Sequence, residues 1–205
     1  MDNSGKIAFF DGIAQRWDGW EDLSEVRRKL TEGLLELGLT RDEVVLDVGC
    51  GTGNLTGALL ELLSPSGRIC AVDYSPKMVE LAQKKFKDKR VTWYACDAMD
   101  LPIALGSLDR VVCFSVWPHF DDPEAVLQKF RGLLRPGGWL HVWHLASRQK
   151  INDIHANAGE AVAQDVLYPA KTVAVSIEQA GFLVTEVVDE ESRYLVTAQR
   201  GENTL

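Results

Sequence analysis

Three glycines, Gly49, Gly51 and Gly53, directly follow a short apolar run and precede an amphipathic stretch. Glycine lets the chain turn sharply and lets a ligand approach the backbone. The helix start that follows offers N–H groups without intrahelical partners. A nucleotide-like ligand is the chemistry this arrangement offers. The dinucleotide fingerprint is GxGxxG, but the sixth position here is Asn54, so the spacing is GxGxG. An acid, Asp47, stands just before the first glycine. A pyrophosphate is repelled by a carboxylate there, whereas an amino group is attracted.

Two more acids follow in step. Asp73 ends the next apolar run about 20 residues after the loop, where a carboxylate can accept both hydroxyls of a ribose. Asp97 ends the run after that. Each also has an ordinary use: Asp73 suits a helix cap, Asp97 a strand end, and Met78 a core position.

The chain has four histidines, His119, His141, His144 and His155. In an open α/β sheet, ligands bind outside the carboxyl ends of the strands. His119 follows the fourth predicted strand, His144 ends the fifth, and His155 lies beyond it on a predicted helix with Ile151 and Ile154. His141 falls on the opposite face of its strand by alternation. A histidine on the rim can act as base or orienter for an oxygen, nitrogen or sulfur nucleophile. Alternatively His119, His144 and His155 jointly hold a metal or a metal-like substrate, since three imidazoles make a zinc site with an open position. They come from separate segments without local ligand spacing, so the base reading ranks first and no resident metal is expected.

The elements that position these residues follow from hydrophobic periodicity. Helices are predicted over residues 6–17 and 23–37, then a strand over 43–48. Leu55, Ala58, Leu59, Leu62 and Leu63 mark an amphipathic helix. A strand over 68–72 leads to Ser75 and Pro76, an N-cap and first-turn pair. Strands over 91–96 and 108–114, a helix capped by Asp122, and a fifth strand over 139–144 follow, the last entered through a turn at 135–138. A helix over 172–180 and two strands, 182–188 and 193–198, close the chain as a hairpin. Alternating strands and helices imply a parallel sheet covered on both faces. The expected fold is α/β: a seven-stranded, mostly parallel sheet with an antiparallel C-terminal hairpin. One domain over residues 1–205 is expected, with 1–38 as a helical lid bearing Phe9, Phe10, Trp17 and Trp20, and 147–170 as a cap.

Composition sets the outer bounds. The 205 residues suit one domain, and 46% hydrophobic content supplies one large core. A net charge of −8 disfavours an extended nucleic-acid surface, which needs clustered Lys and Arg. The four cysteines, Cys50, Cys70, Cys96 and Cys113, form no CxxC pair and are expected to be buried free thiols. The start of the chain lacks the pattern of a signal peptide, and no stretch approaches transmembrane length. The expectation is a cytoplasmic protein with a small-molecule partner, no nucleic acid and no membrane; oligomeric state is left open.

The run from Asp47 to Gly53, DVGCGTG, resembles motif I of the class I S-adenosylmethionine-dependent methyltransferases. VDYSPKMVELAQ is similar to the second motif of that family, CDAMDLP to the third, LDRVVCFSVWPHF to the fourth strand and its exit loop, and LLRPGGWL to the turn into strand five. The likeness covers roughly residues 40–145 and the terminal hairpin. It implies S-adenosylmethionine as methyl donor and S-adenosylhomocysteine as product. The implied donor-binding residues are Asp47, Gly49, Cys50, Gly51, Thr52, Gly53 and Asn54 in the loop, with Asp47 holding the ammonium group. Asp73, Tyr74, Ser75 and Met78 serve the ribose and adenine; Asp97, Ala98 and Met99 read the adenine edge; Ser115 and Val116 complete the set. Methyl transfer is a direct displacement that depends on alignment, with a base needed only where the nucleophile loses a proton. His119, His144 and His155 are the catalytic candidates. WPHF and HLASRQKINDIH are similar to a subgroup of small bacterial methyltransferases, to which no acceptor attaches. Ser115-Val116-Trp117-Pro118 departs from the Asn/Asp-Pro-Pro-aromatic run of amino-methylating nucleic-acid enzymes, which speaks against that activity. A non-catalytic S-adenosylmethionine-binding module or partner subunit is the alternative from a different class.

Overall fold

The computed structural model describes residues 4–202. The outer ends of the expected 1–205 domain and the first residues of the chain lie outside the described residues. The chain divides into two compact units, Met1–Leu101 and Pro102–Leu205.

The first unit opens with helices α1 (Ser4–Trp17) and α2 (Leu23–Glu36). Three strands follow, β1 (Val44–Val48), β2 (Arg68–Asp73) and β3 (Val91–Ala95), separated by helices α3 (Asn54–Leu62) and α4 (Pro76–Lys85). They lie in the order β3-β2-β1 and pair in parallel, with Asp47 opposite Ala71 and Asp73 opposite Ala95. β1 is short, mainly aliphatic and buried over residues 45–48, as a strand with both faces covered requires, whereas β3, with Trp93 and Tyr94, is only partly buried. Leu46, Val72, Leu59, Met78 and Leu30 are buried, so strands and helices share one core. Ser75 caps α4 as its sequence predicts: its hydroxyl accepts the Met78 N–H, and Pro76 takes the first turn.

The second unit holds β4 (Leu108–Phe114), α5 (Pro123–Leu133), β5 (Leu134–His144), α6 (Arg148–Ala158), α7 (Ala170–Gln179), β6 (Phe182–Asp189) and β7 (Tyr194–Arg200). The order is β4-β5-β7-β6, with β4 and β5 parallel and the last two strands antiparallel. Gly181, at φ +88°, ends α7 and turns the chain into the hairpin. The seven strands and the late antiparallel pair match the fold expected from the sequence.

Two expectations are corrected. The fifth strand begins at Leu134 rather than 139, and the RPGG segment bulges within it. Leu108 faces Leu134 and Arg110 faces Trp139, with Gly137 at φ +75° absorbing the extra residues. The cysteines are free, but only Cys50 and Cys113 are buried, while Cys70 and Cys96 are part-exposed. In the cap segment, α6 buries none of its residues.

Candidate functional site

The glycine loop is wound tightly at the end of β1. Gly49, Gly51 and Gly53 have φ of +65°, +52° and +90°, a region that L side chains rarely enter. Between them, the Cys50 N–H donates to the Val72 carbonyl at 2.9 Å, and the Gly53 N–H donates back to the Cys50 carbonyl at 2.8 Å. Cys50 is buried, and burial first, then Asp47 and Asp73, push its thiol well up, so it packs and does not react.

The two acids beside the loop have different tasks. Asp73 accepts the Gly51 N–H at 2.9 Å with one carboxylate oxygen and the Ser75 N–H at 2.8 Å with the other. It therefore ties the loop to the start of α4. Asp47 is 1% exposed and accepts the Thr56 hydroxyl at 2.6 Å. Its carboxyl is pushed up to about 7 by burial, with the nearby Asp73 charge adding to the rise. A buried carboxyl raised further by a neighbouring carboxylate at a glycine loop makes a setting in which a cation is welcome and a phosphate is not.

A pH dependence follows. The ordinary Asp47 value lies near 3.8 and the folded value near 7. Between those values the unfolded chain is ionised while the native carboxyl keeps its proton. The stability that Asp47 contributes is thus full below pH 4 and lost as pH rises towards 7, to an upper bound of about 4 kcal/mol. Asp47→Asn should remove that loss: in urea unfolding it gains on the wild type at pH 8 and not at pH 4. An equal gain at both pH values would contradict the burial argument.

The first helix lies against the loop. The Thr52 hydroxyl donates to Asp18 at 2.5 Å, and Lys85 pairs with the other Asp18 oxygen at 2.6 Å. The Ser75 hydroxyl and the Lys77 N–H both donate to Asp11. Phe10 stands edge-on to Tyr74 with ring centroids 5.8 Å apart, and Trp17 leans on both Phe10 and Trp20. Asp11, within α1, and Asp18, just past its end, were not singled out in the sequence, where neither belongs to a motif. Met78 is 1% exposed and packs in the core. Asp97 accepts the Met99 N–H at 2.9 Å and caps a short 3₁₀ turn; Ala98 within it is buried and Met99 is 38% exposed.

In the second unit, β4 exits through Ser115, a non-glycine residue at φ +53° whose N–H donates to the Trp143 carbonyl at 2.9 Å. Such a backbone costs about 1–3 kcal/mol and clusters at functional sites. Val116 and Trp117 behind it are buried, and Trp117 packs edge-on to Phe120. The Nδ1 of His119 is 2.7 Å from the Asp165 carboxylate. The Nδ1 of His155 is 2.6 Å from the Asp165 carbonyl oxygen, and the two imidazole centroids are 4.8 Å apart. His144 is buried and pulled down to about 3 by burial, then by His119 and His155. Its ring meets Tyr194 edge-on. His141 lies apart as expected, between Arg110 and Thr197, and is neutral through burial. Asp165 lies in the aperiodic cap, where no sequence signal marked it. Among the described residues no group of three or more His, Cys, Asp or Glu is arranged to hold a metal ion, so the metal-assisted alternative is not carried further.

Residues 45–138 match a family model described as a methyltransferase domain. The malonyl-[acyl-carrier protein] O-methyltransferase of Hahella chejuensis is 36% identical over 143 residues, covering 68% of this chain and 49% of that protein. The ubiquinone/menaquinone biosynthesis C-methyltransferase of Desulfotalea psychrophila is 34% identical over 137 residues, covering 65% of this chain and 55% of that protein. The chain thus spans about half the length of these curated relatives. A solved S-adenosylmethionine-dependent methyltransferase from Aquifex aeolicus superposes with a TM-score of 0.70 at 21% identity, covering 88% of this chain and 99% of that one. A chain of the complex between the Haloferax volcanii Trm112 methyltransferase activator and a methyltransferase reaches 0.77 at 20% identity, covering 94% and 98%. The glycine loop with its acids, the seven-stranded fold and these matches agree: the chain belongs to the class I S-adenosylmethionine-dependent methyltransferase family, whose cofactor is S-adenosylmethionine.

Proposed function

We propose that the chain transfers the methyl group of S-adenosylmethionine to a small-molecule acceptor in the cytoplasm. The observation that carries the reading is the pair of carboxylates, Asp47 and Asp73, at a loop of left-handed glycines. Asp47 meets the ammonium of the methionine moiety, and the Gly49–Gly53 backbone passes beneath it. Asp73 accepts the ribose hydroxyls. Tyr74 shapes the nucleoside pocket, with Met78 supporting it from within the core, and Asp97, Ala98 and Met99 read the adenine edge. Ser115 and Val116 lead from β4 towards the acceptor, which His119, His144 and His155 handle. The α1 segment serves as a lid over the loop, through Asp11 and Asp18.

The quinone and malonyl-carrier names of the relatives favour small or carrier-borne acceptors, and a charge of −8 does not favour nucleic acid. Among the described residues no helix is long and apolar enough to cross a membrane. Calorimetry with S-adenosylmethionine tests the donor: binding is expected, and its absence overturns the proposal. S-adenosylhomocysteine release across an acceptor panel tests turnover. Tight binding with no turnover would point instead to a binding module.

A further inference from the structure

Asp165 makes two different bonds to two different histidines. Its side-chain carboxylate meets Nδ1 of His119 at 2.7 Å, and its main-chain carbonyl meets Nδ1 of His155 at 2.6 Å. Carbonyl and carboxylate oxygens only accept, so both Nδ1 atoms carry a hydrogen. When neutral, each imidazole therefore has its lone pair on Nε2. Asp165 is 8% exposed, so its bond to His119 is sheltered from competing water. A histidine whose tautomer is fixed by a buried carboxylate is the arrangement of a general base and its orienter.

His144 supplies an independent observation. It is 1% exposed, and both its ring nitrogens are buried with no hydrogen-bond partner among the described residues. Its neighbour Tyr194 offers no relief, because that hydroxyl donates to the Tyr168 carbonyl at 3.0 Å. A buried polar group left unmatched costs about 1–3 kcal/mol. Such a nitrogen is matched when a ligand brings a polar atom to it. His144 stays neutral, and Asp165 is committed to His119. The cluster therefore suits a neutral polar molecule better than an ammonium or a carboxylate.

We propose that Asp165 is the positioning residue for a general base, His119, and that the acceptor is a hydroxyl compound whose second polar atom bonds His144. The hydroxyl oxygen gives an electron pair to the new O–C bond. The pair of the broken S–C bond stays on sulfur, leaving S-adenosylhomocysteine, and the hydroxyl proton passes to Nε2 of His119. The inference rests on the methyl-transfer reading above.

The first readout needs no substrate. In protein labelled with ¹⁵N-histidine, two-bond ¹H–¹⁵N correlations should show His119 and His155 as Nδ1–H tautomers. Asp165→Asn should release the tautomer of His119 while leaving that of His155, which depends on the unchanged main chain; Asp165→Glu should restore it in part. A His119 tautomer that ignores Asp165→Asn overturns the proposal. The second readout is S-adenosylhomocysteine release with phenol, benzoate and benzylamine as probes. Turnover of the phenol is expected, with Asp165→Asn lowering its kcat about a hundredfold at unchanged KM. Turnover confined to benzoate or benzylamine overturns the hydroxyl assignment, as does no turnover of the phenol. Stoichiometric zinc binding that is lost on replacing any of the three histidines overturns it too. Calorimetry with S-adenosylmethionine separates the two levels. Without binding the methyl-transfer reading fails; with binding and an indifferent His119 tautomer, only this inference fails.

Discussion

Replacing Asp73 by alanine should raise the dissociation constant for S-adenosylmethionine about a hundredfold, since two bonds from ribose hydroxyls to a charged acceptor are worth about 3 kcal/mol. It should also loosen the apoprotein. The carboxylate accepts both the Gly51 and the Ser75 N–H, and these charge-assisted bonds shape the loop before any ligand arrives. Their loss should lower unfolding stability by about 2–4 kcal/mol. Calorimetry and urea unfolding on the same variant separate the two tasks. A fall in stability with an unchanged dissociation constant would make Asp73 a loop brace alone. Asp73→Asn should spare more of the fold, because an amide oxygen still accepts one N–H, while recovering less of the affinity.

Gly53→Ala should be the most damaging small substitution in the first unit. Gly53 caps the start of α3 at φ +90°. An added Cβ would sit 2.9 Å from Cε2 and 3.0 Å from Cδ2 of the Phe86 ring, with Ala82 at 3.4 Å. The left-handed backbone costs about 1–2 kcal/mol for an L residue. Crowding against a packed ring adds about 1–3 kcal/mol. Together these predict a loss of about 2–5 kcal/mol in urea unfolding. Gly12→Ala is the matched control. It lies inside α1 with nothing within 4 Å of the new methyl, and it should gain about 0.5–1 kcal/mol. Adding Phe86→Leu to Gly53→Ala should recover the crowding part and not the backbone part. If the double variant is no better than the single, the ring is not what the methyl meets.

Most of the architecture was legible because it rests on local rules. Periods of 2 and 3.6, Ser75-Pro76, Asp122-Pro123 and Gly181 set the order and ends of the elements within a residue or two. The RPGG segment was read as a turn because proline and glycines mark turns. It folds inside β5 because the strand accommodates it as a bulge, which depends on pairing with β4 and not on the segment itself. The loop and its acids were legible for the same reason as the helices: they are contiguous. Asp11, Asp18 and Asp165 were not. The partners of the first two lie 64 and 34 positions away, and Asp165 stands 46 positions from His119 in a stretch with no periodicity. A side chain that works through a distant partner leaves no local mark. Burial divides the histidines in a way their sequence positions only half suggested: His141 is consumed by Arg110 and Thr197, whereas His144 has no partner for either nitrogen among the described residues.

The hairpin carries a consequence of another kind. In the second unit β6 is the outermost strand, and it exposes Leu183 at 62% and Val187 at 40%. A long outer strand with apolar side chains and open N–H and C=O groups is a template on which a second copy could add its own strand. The register between β6 and β7 slips at Val184/Glu186, so the ladder is bent midway. Glu186 stands at the slip, and Asp189, Glu190 and Glu191 crowd the end of the strand with like charge. A crooked, acidic border offers an approaching copy neither a straight row of acceptors nor a neutral one. An edge of that kind disfavours the pairing of one strand border with another.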